Sequence, residues 1–223
     1  MEPVWLPLLI SLKVAGFAIL INLVLGIGMG WLLARRSFPG RDLLDTILTL
    51  PMVLPPTILG YYLIVLLGRY GWLGRYLDQW FGIQLIFTWQ GAVVAAAVVS
   101  FPLVFKPARA AFEGIDRNYE DAARVLGLSE FALFLRVTLP LAWRGILAGL
   151  LLAFARALGE FGATLMIAGN IPGKTQTLSI AVYAAVQSGA QAQANFIVVV
   201  ISIVCIIILF SARYLAPRRL ELQ

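Results

Sequence analysis

The 223-residue chain has no histidine and a single cysteine. Lacking histidine, it lacks the commonest metal ligand and the usual general base near neutral pH. Cys205 sits alone inside an apolar run, so an intrachain disulfide is excluded. Charge is scarce as well: Asp, Glu, Lys and Arg make up 13% of the residues, where soluble domains carry about 25%. No phosphate-binding loop G-x-x-x-x-G-K-[ST] occurs; the nearest approach, Gly173-Lys174-Thr175, has Ala168 where the first glycine belongs. No cleavable leader is expected, because the first apolar run is too long and has no basic start. Together these absences argue against a metalloenzyme, a disulfide scaffold and a chain that hydrolyses ATP itself; neither a metal nor a cofactor is expected.

What the chain has is apolar length. Hydrophobic residues reach 61%, and they fall in long runs such as Phe196 to Ala212 with no charge inside. About 20 residues at 1.5 Å rise cross the hydrocarbon of a bilayer. Backbone groups in lipid must be satisfied within the segment, so each run is read as a helix; the alternation of a membrane β-barrel is missing. The expected class is an all-α polytopic membrane bundle, one transmembrane domain over 1–223, with about five spans. These are Leu8 to Leu33, Leu43 to Leu67, Phe87 to Phe105, Ile146 to Ile167, and Phe196 to Ala212. Thr175 to Val186 is too short to cross and is expected as a re-entrant or interfacial helix on the outer side.

The net charge of +6 does not indicate nucleic acid, because the charges lie between apolar runs. Arg35, Arg36, Arg41, Lys106, Arg109, Arg117, Arg124, Arg136, Arg144, Arg213, Arg218 and Arg219 fall on one side of the expected spans. Arg69, Arg75 and Lys174 fall on the other. This twelve-to-three bias sets an N-terminus outside and a C-terminus in the cytoplasm.

The connection at about 106–145 carries the most information. Within FEGIDRNYEDAARVLGLSEFALFLRVTLP, from Phe112 to Pro140, two helical patterns are separated by Leu126-Gly127-Leu128-Ser129. Gly127 fits a C-cap turn and Ser129 an N-cap. The spacing Asp121-Ala122-Ala123, three residues, Gly127, nine residues, Val137, one residue, Leu139-Pro140 resembles the "EAA" motif of bacterial ABC importer permeases. Asp121 stands where that family has glutamate, with Glu120 just before it.

The resemblance implies a coupling helix seated in a groove of an ATP-binding subunit, through Glu120, Asp121, Ala122, Ala123, Gly127, Leu128, Leu139 and Pro140. Three further stretches resemble the molybdate-transport permease family: SFPGRDLLDTILTLPMVLPPTILGYYL from Ser37, WQGAVVAAAVVSFPLVF from Trp89, and LAFARALGEFGAT from Leu152, followed by NIPGKTQTL. Sulfate, thiosulfate and tungstate permeases share parts of this pattern. The resemblance implies import of molybdate across the bacterial inner membrane by a homodimer. Two ATPase subunits would lie below it and a periplasmic oxyanion-binding protein above.

Other residues keep two readings. Arg156 and Glu160, one turn apart in the fourth span, are either a self-neutralised pair locking helices or polar elements of a pathway or gate. Pro51, Pro55 and Pro56 break the second span, as an ordinary kink or as a pathway lining. Gly26, Gly28 and Gly30 form a small-residue stripe for close packing. Lys13 reads as a snorkelling interfacial lysine. A membrane-embedded enzyme would need convergent catalytic groups, and only Arg156 and Glu160 offer themselves; a purely structural membrane protein would not need the docking loop.

Overall fold

The structure is a computed structural model that describes residues 4–215, so Arg218 and Arg219 lie outside the described residues. The elements are α1 (Trp5–Arg35), α2 (Arg41–Thr49) with a 3₁₀ turn (Leu50–Met52), α3 (Pro56–Leu67), α4 (Trp72–Phe81), and α5 (Trp89–Glu113). They continue with α6 (Arg117–Val125), α7 (Glu130–Leu133), α8 (Leu139–Leu158), α9 (Gly162–Ala168), α10 (Leu178–Gln187) and α11 (Gln191–Leu215). There is no strand among the described residues. Four helices are long and apolar enough to cross a membrane, and a bent pair supplies a fifth crossing if counted as one span. The chain is an all-α membrane bundle.

The core is α1 laid along α5. Lys13 and Phe17 meet Trp89, Asn22 meets Ala97 and Ser100, and Gly26 and Gly30 meet Val104 and Ala108. Numbers rise together along both helices, so the two run parallel. α8 runs the other way, with Gly145 against Ala111 and Gly149 against Leu103 and Pro107. Parallel α1 and α5 require the chain to cross back between them, and the bent α2–α3 pair is the apolar segment long enough to do so if it counts as one span.

Small residues make this packing possible. A Cβ on Gly26 would lie 2.9 Å from Val104 Cγ1, and one on Gly30 would lie 3.0 Å from the Arg109 amide nitrogen. Gly28 points the other way and meets nothing, so the expected stripe is two glycines one turn apart rather than three. One turn before Gly26, the buried Asn22 amide donates to Ala97 O at 3.0 Å and to Ser100 Oγ at 2.9 Å. A hydrogen bond between helices in lipid contributes about 0.6–2 kcal/mol. Hydropathy alone gave no reason to single out Asn22.

Two spans differ from the sequence expectation. The second is no mild kink: Arg41–Met52 and Pro56–Leu67 meet at 112°, because Pro55 and Pro56 remove consecutive backbone donors where the helix would continue. The fourth begins earlier than Ile146, in a helix running from Glu130 to Leu158, and stops before Ile167. Gly159 ends α8, and the Glu160 carboxylate starts α9 by accepting the Ala163 amide at 2.9 Å. α10 is ten residues long, about 15 Å, too short to cross. It lies at the α1 N-terminal end, where the Leu178 amide donates to Ser11 Oγ at 2.8 Å.

Candidate functional site

The ends of α1 and α5, the start of α8, and all of α6 and α7 gather at one end of the bundle, with α2 beside them. Arg35, Arg36, Arg41, Lys106, Arg109, Arg117 and Arg124 concentrate there. α5 continues as helix to Glu113, so Lys106 and Arg109 stand on a rigid rod instead of a loop. Asp45 of α2 ties that rod down, receiving Lys106 Nζ at 2.7 Å and Arg109 Nη1 at 2.6 Å. Glu113 adds contacts to Arg109 and Arg41 at 2.8 and 3.2 Å. Nothing local in the sequence points to Asp45, since its partners lie about sixty residues away.

α6 is built as its sequence dictates. The Asp116 side chain caps its start by accepting the Asn118 amide at 2.9 Å. Its end is a Schellman turn: Leu128 N donates to Ala123 O and Gly127 N to Arg124 O, with Gly127 at φ +83°. Only glycine adopts that backbone without strain. Ser129 then accepts the Ala132 amide and opens α7. A π turn, Phe134–Thr138, joins α7 to α8; Pro140 has no N–H to give the α-helical bond to Arg136 O, and the ladder widens there.

The two faces of α6 do different things. Glu120 and Ala123 point inward. Glu120 Oε1 lies 2.8 Å from Arg35 Nη2 of α1 and accepts Thr138 Oγ1 at 3.0 Å. Its placement departs from the expectation for an ATPase-facing residue: within this chain it is a fastener to α1 and the head of α8. Ala122 is exposed, as are Asp121 and Gly127, while Leu128 and Leu139 are half-buried and Pro140 is exposed. Asp121 and Glu130 both hold Arg124, at 2.7 and 2.8 Å. Those hydrogen bonds, Glu130's first, raise the Arg124 guanidinium above its ordinary value, so it is cationic at every working pH.

Around Ala122 stand side chains the motif does not name. Val125 is 87% exposed, Leu126 80%, Phe131 74% and Tyr119 61%. Large apolar groups exposed together at the most charged end of a molecule have the composition of an interaction surface. For Val125 the signal in the sequence is the helical period, which puts it on the side away from Glu120 and Ala123; Leu126 is exposed because α6 ends at it.

The pathway candidates are only partly brought together. Pro56 approaches Gly162, where an added Cβ would sit 3.1 Å from Pro56 Cβ, so the break in the second span meets the break after α8. Arg156 Nη1 donates to Glu160 Oε2 at 2.6 Å, and Glu160 is 2% exposed. Pro55 is exposed. Pro51 instead lines an apolar groove of about 320 Å³ with Asn22, Met29 and Phe101. No group of His, Cys, Asp and Glu able to hold a metal occurs among the described residues.

Residues 22–221 match the family described as "Binding-protein-dependent transport system inner membrane component". The chain belongs to this family. As an ABC importer permease, it is an inner-membrane transport subunit, not an enzyme, and works with an ATP-binding subunit and a periplasmic binding protein. It is 48% identical to the "Molybdenum transport system permease protein ModB" of Escherichia coli K12, over 94% of this chain and 93% of that one. The putative molybdenum transport system permease protein YvgM of Bacillus subtilis is 44% identical, over 92% and 90%. The sulfate transport system permease protein CysT of Escherichia coli is 37% identical, over 94% of this chain and 75% of that one. Among solved structures, the permease fold is similar to a chain of the inward-facing MetNI methionine ABC transporter, with TM-score 0.68, 18% identity and coverage of 97% and 100%. A chain of the bacterial alginate ABC transporter complex gives TM-score 0.74 at 19% identity, covering 96% and 78%. At those identities the likeness concerns the fold alone.

Proposed function

We propose that this permease carries molybdate inward, powered by ATP hydrolysed on its partner subunits. One observation carries the substrate: near full-length identity of 44–48% to molybdenum permeases of distant bacteria, against 37% to a sulfate permease. The test is uptake of labelled molybdate in a host lacking its own system, with tungstate and sulfate as competitors. Dominant sulfate uptake would sink the assignment in favour of the second reading, a sulfate or thiosulfate permease, which the CysT similarity supports. Tungstate uptake equal to that of molybdate would broaden the substrate to both metal oxyanions.

The working unit in this reading is a homodimer with two ATPase copies. The N-terminus faces outside and the C-terminus the cytoplasm, as the arginine-rich end at α6 favours. The chain acts as one transmembrane domain. Asp121, Ala122, Gly127 and the neighbouring Val125, Leu126 and Phe131 meet the ATPase, while Leu128, Leu139 and Pro140 shape the turn and the re-entry behind them. Closure of the ATPase dimer moves α6, and Glu120 passes that movement to Arg35 on α1 and Thr138 at the head of α8. The helices then rock as bodies and expose the pathway alternately to each side. The meeting of Pro55-Pro56 with Gly159–Gly162 borders that pathway, where irregular backbone at membrane depth is tolerated. The Arg156–Glu160 pair holds the break in shape.

A further inference from the structure

At the end of the bundle opposite α6 lies a cavity of about 470 Å³ lined by Lys13, Lys174, Thr88, Trp89, Gln90 and Thr175, among others. Its lining contains no Asp or Glu. Two lysines thus line one concavity with no carboxylate in its walls, a positive focus that favours entry of an anion. Both lysines are exposed, but each is placed by its surroundings. Lys13 Nζ stands 3.5 Å above the centre of the Trp89 ring, a cation–π contact that fixes a side chain expected only to snorkel. Lys174 rides a tight turn: the amides of Lys174, Thr175 and Gln176 all converge on Ile171 O, at 3.1, 3.0 and 3.2 Å. Behind it Thr175, Gln176 and Thr177 are buried and anchor the turn.

We propose that this cavity is a low-affinity receiving site for a tetrahedral oxyanion, gripped by Lys13 and Lys174 with Gln90 as a neutral donor. The inference rests on reading the chain as an oxyanion permease and adds where the ion first meets it. A volume of about 470 Å³ leaves room for the ion with several of its waters, each about 30 Å³, so it is held without being stripped. That fits a conduit, where a site must release what it binds. A free dianion and the phosphate of a lipid headgroup present the same chemistry, and the test separates them.

The permease–ATPase complex would be reconstituted into nanodiscs of purely zwitterionic lipid and titrated with sodium molybdate while tryptophan emission is read. Withdrawal of Lys13 from the Trp89 ring supplies the signal, assigned by its loss in Trp89→Phe. A saturable response that disappears in Lys13→Gln/Lys174→Gln and survives in Lys13→Arg/Lys174→Arg supports a site for the free ion. A lysine-dependent response to added anionic lipid, without one to molybdate, supports the lipid phosphate as occupant. No response to either, or an equal response in the Gln double variant, overturns the site. ATP-driven molybdate uptake by the same complexes in proteoliposomes, with the periplasmic binding protein supplied on the outer side, distinguishes the two levels. Wild type without uptake refutes the proposed function. Wild type with uptake, and the Gln double variant undiminished at low molybdate, refutes this site alone. The expected result is a fall of about tenfold, the lower end of what charge focusing adds to encounter rates.

Discussion

Arg35 and Glu120, eighty-five positions apart in sequence, meet at 2.8 Å with side chains 11% and 6% exposed. The approach is an ion-pair contact, not an aligned hydrogen bond, and Arg35 Nε has no acceptor among the described residues. Glu120 therefore compensates most of a buried guanidinium, and does so from α6, the helix proposed to meet the ATPase. Removing one member of such a pair leaves a charge where water cannot reach it.

Glu120→Ala is expected to destabilise the permease by about 3–5 kcal/mol, the usual cost of stranding one buried ion. Arg35→Leu/Glu120→Leu removes both charges and should recover most of that stability. It should not recover coupling, because α6 has lost its link to α1 and to Thr138. Thermal unfolding of the purified complex reads the first effect. The ratio of molybdate moved to ATP hydrolysed reads the second, and a double variant with the wild-type ratio would refute the fastener role.

Val125→Asp and Leu126→Asp place charge on the exposed apolar patch without disturbing any described packing. Each should weaken ATPase-subunit affinity about thirtyfold, as for an interface hot spot of about 2 kcal/mol. Stability of the permease should stay within about 0.5 kcal/mol of wild type. Gly127→Ala acts differently: nothing lies within 4 Å of its new Cβ, but the backbone sits at φ +83°, costing about 1–2 kcal/mol. Co-purification of the subunits from membranes, with unfolding of the isolated permease, separates the surface effect from the strain.

Two glycines on α1 give a paired test of the α1–α5 seam. Gly30→Ala forces its Cβ to 3.0 Å from both Ala108 Cβ and Arg109 N. Overpacking of this kind costs about 1–3 kcal/mol. Gly28→Ala meets nothing within 4 Å and gains up to about 1 kcal/mol of helix propensity. Unfolding midpoints in one detergent should move in opposite directions.

Arg156→Met strands the Glu160 carboxylate with only the Ala163 amide for company, and a loss of about 3 kcal/mol is expected. Arg156→Met/Glu160→Gln keeps an oxygen to cap α9 and removes both charges. The double variant should regain stability and retain molybdate uptake within about tenfold of wild type, a drop of about 1.4 kcal/mol in barrier terms. A stable double variant with no uptake would instead make the pair part of the ion's route.

Much of this molecule was legible before any tertiary structure. Composition and run length determined an all-α membrane protein, since lipid leaves the backbone no other partners. The local chemistry of Gly127 and Ser129 determined the helix–turn–helix at 112–140, because caps and φ preferences act within a few residues. The "EAA" spacing determined the family resemblance that the comparisons bear out. Long-range proximity was beyond it. Only the fold decided that Glu120 meets Arg35 and Thr138, that Asp45 pins Lys106 and Arg109, and that the break at Pro55-Pro56 bends by 112° and meets Gly162. Only the fold, too, set Lys13 over Trp89 beside Lys174. Each of these depends on which side chains arrive together across the bundle, and helical period fixes a residue's face without saying what will stand opposite it.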